Sequence, residues 1–234
     1  MPVRFNISLS PSVRALPSRL AGAALCLLLA LLLCAPRALA AESGAAAAAA
    51  ESAEKALAAS ISRVVELLQN PGYVSPQTRG PLRTQIEDEV YHIFDFGEFS
   101  ARTVGQRWQT FTDAQQQDFT DAFASLLFST YLSQIDGYNG EEVRYTGVRS
   151  NPEGTRVEVA TELTNQNGRV IPIAYRLMPK NGTWVVYDVF VEGVSLVRNY
   201  RTQFQDILSK SNPDSLIVRV RERAMEVAAD GTAN

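Results

Sequence analysis

Residues 184–204 read WVVYDVFVEGVSLVRNYRTQF, and this stretch decides the fold. Trp184–Val191 has the β-branched and aromatic content of a strand. By alternation, Val185, Tyr187, Val189 and Val191 point one way, and Trp184, Val186 and Phe190 the other, with Asp188 among them. A strand apolar on both faces has to bury both. It is therefore expected centrally in a sheet or at a point of strong curvature. One face serves the core, and the other needs a second layer or an apolar ligand. After Gly193 the period changes, and Ser195 can cap a helix whose Leu196, Tyr200, Phe204, Ile207 and Leu208 share a face. The stretch holds no metal-ligand spacing, no phosphate-cradling glycine loop and no nucleophile–base pair, which points to binding rather than catalysis.

Upstream, alternation begins at Glu142. Val143 and Tyr145 mark a first strand, Val157, Val159 and Leu163 a second over 156–164, and Ile171, Ile173, Tyr175 and Leu177 a third over 170–178. Asn151-Pro152-Glu153-Gly154, Asn165–Gly168 and Lys180-Asn181-Gly182 supply the turns, the last being a strong hairpin signal. Short turns between consecutive strands give an antiparallel meander of about four strands. Helical spacing precedes it. One helix settles by Ile61–Leu68, another runs from Pro81 to about Phe94, and Asp95 caps a short one through Val104. The best-defined helix opens with a T-x-x-Q capping box, Thr112 to Gln115, and carries Phe119, Phe123, Leu126, Leu127 and Tyr131. A final helix spans 214–229. Helices, then a meander, then helices packed back on it make an α+β domain.

Residues 1–40 are read as a cleaved secretory leader: Arg4, Arg14 and Arg19, an apolar run over 20–35, and Ala38-Leu39-Ala40 as the cleavage signal. The run is shorter than the ~20 residues a membrane-spanning anchor needs. Cys26 and Cys34 both fall inside it, so the processed chain has no cysteine and no disulfide. Four of the 22 basic residues lie in the leader, leaving 18 against 25 acids, a net of −7. With no basic cluster, nucleic acid is not a partner. Residues 41–59 are read as an Ala-rich spacer, 60–229 as a single binding domain and 230–234 as a tail.

The chain resembles the MlaC, or toluene-tolerance, family of periplasmic phospholipid-binding proteins. The resemblance rests on Phe94-Asp95-Phe96, on Gly105 to Trp108, on the set Phe119, Phe123, Leu126, Leu127, Thr130 and Tyr131, and above all on the nearly continuous run from Trp184 to Phe204. It departs from the family pattern at Phe190, at Gly97 and in the long Ala-rich lead. The resemblance implies an NTF2-like curved sheet wrapped by N- and C-terminal helices around an apolar pocket. It further implies a monomeric periplasmic carrier in a Gram-negative bacterium, with glycerophospholipid as cargo and no cofactor. Its partners would be an inner-membrane ABC transporter bearing an MCE-domain subunit and an outer-membrane lipoprotein complex, and its role the maintenance of outer-membrane lipid asymmetry.

Candidate lipid contacts on the sheet are Val159, Leu163, Ile171, Ile173, Tyr175, Leu177, Val189 and Val191, faced from the helices by Phe123, Leu127, Tyr131, Tyr200 and Phe204. Each of them also fits ordinary core packing. Ser195 is read as a helix cap, because G-V-S-L lacks the second glycine of a nucleophile elbow. His92 is the only histidine, so no catalytic residue or metal ligand is assigned. An isomerase-like use of Tyr187 with Asp188 is disfavoured, since adjacent strand residues point to opposite faces. A carrier of hopanoid or another polycyclic lipid and a protein-binding adaptor remain as alternatives.

Overall fold

The structure is a computed structural model that describes residues 35–232 apart from 137, 139 and 166. The expected leader lies largely outside the described residues, and the compact unit begins at Ser43. Six α-helices are described: α1 (Ala35–Leu68), α2 (Pro76–Ile93), α3 (Phe96–Val104), α4 (Asp113–Asp136), α5 (Leu196–Lys210) and α6 (Pro213–Thr232). Between α4 and α5 lies a five-stranded antiparallel sheet: β1 (Glu142–Ser150), β2 (Val157–Thr164), β3 (Val170–Lys180), β4 (Thr183–Val191) and β5 (Val194–Ser195). The strands pair in chain order, as a meander.

The local signals act as their chemistry requires. Asp95 accepts from the Glu98 N–H at the start of α3, and Thr112 and Gln115 bond each other's backbone N–H at 3.2 and 3.0 Å ahead of α4. Asn181 and Gly182 both take positive φ, 51° and 80°, the pair of left-handed residues a two-residue hairpin needs. Glu192 and Gly193 repeat this at 50° and 81°, which turns β4 into the short β5 before α5.

Three expectations are corrected. The helix placed from Pro81 starts five residues earlier at Pro76, because Ser75 is extended and its carbonyl accepts from the N–H groups of Thr78 and Arg79. Pro81 sits inside this helix, where it forgoes a single bond of the second turn. The stretch 41–59 is not a spacer. It forms part of α1, and its Ala50, Ala53 and Leu57, continued by Ser60, make one buried stripe. Alanine is small enough to let that helix sit close on the sheet: Ala53 and Leu57 pack with Val157, Val159, Leu177, Val186 and Val189.

The third correction concerns β4. Its register against β3 slips, with Val186 opposite Leu177 but Asp188 opposite Arg176, so Tyr187 is an extra, bulged residue. Alternation therefore reverses part-way along the strand. Trp184, Val186, Val189 and Val191 share the inner face, whereas Val185 and Tyr187 pack with Met178 on the outer one. The strand is apolar on both faces, as read, but its residues are divided differently. A second slip between Tyr145 and Gly147 keeps Tyr145 and Val148 together on the inner face.

The helices carry a separate core. Phe99, Phe119, Phe123, Phe204, Leu208 and Leu216 are buried together across α3–α6, and Phe123 and Phe204 meet edge to face at 5.2 Å. The two cores are joined at the strand-to-helix corner. Asp188 is buried there, accepting from the Ser195 hydroxyl at 2.8 Å and the Val197 N–H at 3.1 Å, while Ser195 Oγ accepts from the Arg198 N–H. Asp188→Ala strands two buried donors, so we expect a loss of about 1–3 kcal/mol of stability in denaturant unfolding, with Asp188→Asn losing less. An alanine variant as stable as the parent would show that this corner does not fix α5.

Candidate functional site

Cross-strand pairing arranges the inner face in rows. Val157, Leu177 and Val186 form the first; Val159, Tyr175 and Val189 the second; Thr161, Ile173 and Val191 the third; Val143, Leu163 and Ile171 the fourth. The first two rows lie against Ala53 and Leu57 of α1 and Ile93 of α2. Val159, Leu177 and Val186 have 0% exposure there, so no water-sized space touches them. The last two rows are not closed in this way. Thr161 is itself buried, but Ile173, Val191, Val143, Leu163 and Ile171 all keep partial exposure, which leaves accessible apolar surface on this part of the inner face.

Tyrosines mark the boundary between the closed and open halves. Burial pushes the Tyr175 phenol up to about 12, Tyr145 nearby adds to the shift, and a hydrogen bond with Thr161 opposes it. Tyr175 nevertheless keeps accessible surface. A side chain enclosed by protein and still touched by solvent lies in a recess. Tyr145 is raised in the same direction by burial, with Glu54 contributing. On the helices, burial pushes Tyr200 up to about 12, with Tyr131 adding and Thr130 opposing, and burial raises Tyr131 as well. These phenols are neutral at any physiological pH, so they offer polar hydroxyls in apolar walls without adding charge.

The eight sheet candidates, Val159, Leu163, Ile171, Ile173, Tyr175, Leu177, Val189 and Val191, thus share one face. Val159 and Leu177 are filled core within it, and the open half belongs to Leu163, Ile171, Ile173, Tyr175 and Val191. The helical candidates lie in the other cluster. Phe123 and Phe204 are buried at its centre and Leu127 and Tyr200 pack against it, while Tyr131 is half-buried. Leu196, at the start of α5, packs against both clusters and links them. Sequence reading missed Val143, Tyr145 and Val186. Alternation alone carried a signal for the first two, whereas Val186 was assigned to the wrong face by the unforeseen bulge.

The arrangement offers little for chemistry. The same bulge puts Tyr187 and Asp188 on one side of the strand, so the expectation that they point apart fails. They remain separately engaged, Asp188 by Ser195 and Val197 and Tyr187 under the Arg102 guanidinium at 4.3 Å. Among the described residues no group of three or more His, Cys, Asp or Glu side chains is placed to hold a metal ion, and no helix is long and apolar enough to cross a membrane.

Two phenols that ionise late in the folded state and near 10 when unfolded stabilise the fold fully below pH 10 and lose that contribution as pH rises toward 12. Absorbance titration at alkaline pH should show late-ionising tyrosines, and the unfolding midpoint should fall across that window. Tyr175→Phe should flatten the fall, and an unaltered alkaline profile would place Tyr175 in open solvent.

Comparison with known proteins gives a consistent picture. The sequence model of the family described as "MlaC protein" matches residues 58–222. The toluene tolerance protein ttg2D of Pseudomonas putida is 29% identical over 103 residues, a match spanning 44% of this chain and 47% of that protein, about half its length. The intermembrane phospholipid transport system binding protein MlaC of Haemophilus influenzae is 21% identical over 165 residues, spanning 69% of this chain and 73% of that one. Among solved structures, a phospholipid-binding protein from Ralstonia solanacearum, in complex with a phospholipid, superposes with a TM-score of 0.64 at 28% identity, covering 73% of this chain and 97% of its own.

Proposed function

Because the chain belongs to the MlaC protein family, we propose that it is a periplasmic phospholipid carrier that holds acyl chains against the open half of its inner sheet face and moves them between membranes. The observation that carries this reading is the unclosed apolar surface of Leu163, Ile171, Ile173 and Val191 beside the recessed Tyr175. The phospholipid bound by the structural relative supplies the class of ligand. The phenols of Tyr145 and Tyr175, which pack with the sheet cluster, offer hydroxyls to the glycerol and ester region of such a molecule.

The thermodynamics of the cargo explain why a carrier is required. Two acyl chains hold roughly 30 methylenes, and exposing them to water costs roughly 24 kcal/mol at ~0.8 kcal/mol each. Free diffusion through an aqueous compartment is excluded on that scale. The carrier need only match the bilayer, since the lipid leaves one apolar environment for another. Release then follows a shift between closed and open forms on docking. In this reading the partners are an outer-membrane lipoprotein complex and an inner-membrane ABC transporter with an MCE-domain subunit, the result is outer-membrane lipid asymmetry, and the protein performs no catalytic step.

Native mass spectrometry of the purified protein should show co-purifying glycerophospholipid. Ile173→Asp and Val191→Asp should each remove it while circular dichroism stays that of the parent. Stripping the lipid should lower the melting temperature, because the open apolar half loses its contacts. Folded aspartate variants that remain loaded would defeat the assignment of the site, and a polycyclic lipid in place of phospholipid would defeat the assignment of the cargo.

A further inference from the structure

The outer face of the sheet carries a cleft of about 230 Å³ lined by Arg149, Arg156, Arg176, Glu158 and Tyr187. Glu158 accepts from Arg149 at 2.5 Å and from Arg176 at 3.1 Å. Burial tends to raise its pKa, but the hydrogen bonds from those two guanidiniums outweigh it and hold the carboxyl below its usual range. One carboxylate shared by two guanidiniums leaves a surplus of positive charge. Arg156 adds to it: its guanidinium donates to the Thr155 carbonyl at 2.7 Å and lies 5.5 Å from the Tyr187 ring centroid, and among the described residues it has no ion-pair partner. Three arginines against one glutamate make the cleft basic, in a chain whose residues 41–234 carry 18 basic and 25 acidic side chains.

A second cleft of about 380 Å³ adjoins the first, sharing Arg149, Glu158 and Arg176 and running onto Ala160, Ala174 and Phe190, with Glu162 at its side held by Arg144. The Arg176 guanidinium stacks 4.3 Å over the Phe190 ring. Arginines beside an accessible aromatic, next to small apolar residues, are the composition that concentrates binding energy in protein interfaces. The Arg149 side chain is 83% exposed.

We propose that this outer face is a docking surface for an acidic segment of a partner protein, whose carboxylates engage Arg156 and Arg149 and whose apolar side chain lies over Phe190 and Ala174. The resident Glu158 shows that the cleft's guanidiniums accept carboxylate geometry, and a planar fork binds a second carboxylate in the same way. An anionic bilayer is a poorer match, since the acidic chain as a whole is repelled by such a surface. A free phosphate would use the arginines but not the apolar half of the face. This inference goes beyond lipid carriage: the arginines and Phe190 project from the outer side of the sheet, although Thr161 and Ile173 of the proposed cargo face also reach the edge of the second cleft.

The full chain is titrated into a fluorescein-labelled octapeptide of glutamate and leucine, and anisotropy is followed at low and physiological salt. The parent should bind more weakly as salt rises. Arg149→Glu/Arg156→Glu should weaken binding at least tenfold, and Phe190→Ala by less. Arg219→Glu, on α6 outside the cleft, should change nothing. Lipid content by mass spectrometry should be the parent's in every variant, which separates failure here from failure of the carrier reading. If the double reversal impairs folding, Arg149→Ala/Arg156→Ala replaces it, with a loss in the same direction expected. Absence of peptide binding, or equal losses in the cleft variant and Arg219→Glu, would overturn the proposal. So would transfer of the arginine dependence to vesicles of phosphatidylglycerol, or competition by inorganic phosphate as effective as unlabelled peptide.

Discussion

The bulge at Tyr187 is the constraint on which the rest of the structure depends. A strand of perfect alternation could satisfy only one of the two layers that β4 serves. The extra residue lets Val186 and Val189 enter the same inner core while Tyr187 faces outward with Met178 and Val185. It also brings Asp188 opposite Arg176 and within reach of Ser195 and the first turn of α5. A buried carboxylate is costly unless it is hydrogen-bonded, and here helix donors satisfy it at the end where the helix dipole favours negative charge. One irregular residue therefore sets the packing of the sheet, the corner, and the direction in which α5 leaves it.

From that corner α5 carries Val197, Tyr200, Phe204 and Leu208 into an aromatic core formed by helices α3–α6 and by Phe111 from the connection before α4. The sheet is left to be covered by α1 and α2. Their contribution is small in volume, because the contact stripe of α1 is Ala50, Ala53 and Leu57. Small side chains close the first two rows of the inner face tightly and leave the third and fourth rows partly open. A bulkier helix would stand further off and close neither half.

Much of this was legible in the sequence, and the failures have identifiable physical origins. Turn and cap chemistry is local, so Asp95, Thr112 with Gln115, Asn181-Gly182 and Ser195 announced themselves. Six of the eight sheet candidates share one face because β2 and β3 keep strict alternation between them, and Val189 and Val191 of β4 join that face beyond the bulge. Val186 was misplaced because a bulge is a property of strand pairing, and nothing in residues 184–191 alone distinguishes an alternating strand from one that slips. The Ala-rich stretch was read as a spacer because alanine buries little area per residue. Close packing against a sheet rewards that same smallness, but only tertiary contacts reveal it. Division of the helical and sheet candidates between two clusters is likewise a property of the whole fold, since every one of them has the apolar character of core.

The partly open inner face is best understood as an energetic compromise. Apolar surface left in water forgoes about 25 cal/mol per Å² relative to burial, so a domain selected only for stability would fill rows three and four with larger side chains. Recessed tyrosines make the cost greater, since each phenol must also find a hydrogen bond or stay within reach of water. Stability withheld at one place and supplied elsewhere, by the dense aromatic core of α3–α6 and the satisfied corner at Asp188, is the pattern expected where function opposes perfect packing. The open rows and the closed core are thus complementary: the second supplies the stability that allows the first to remain unfilled.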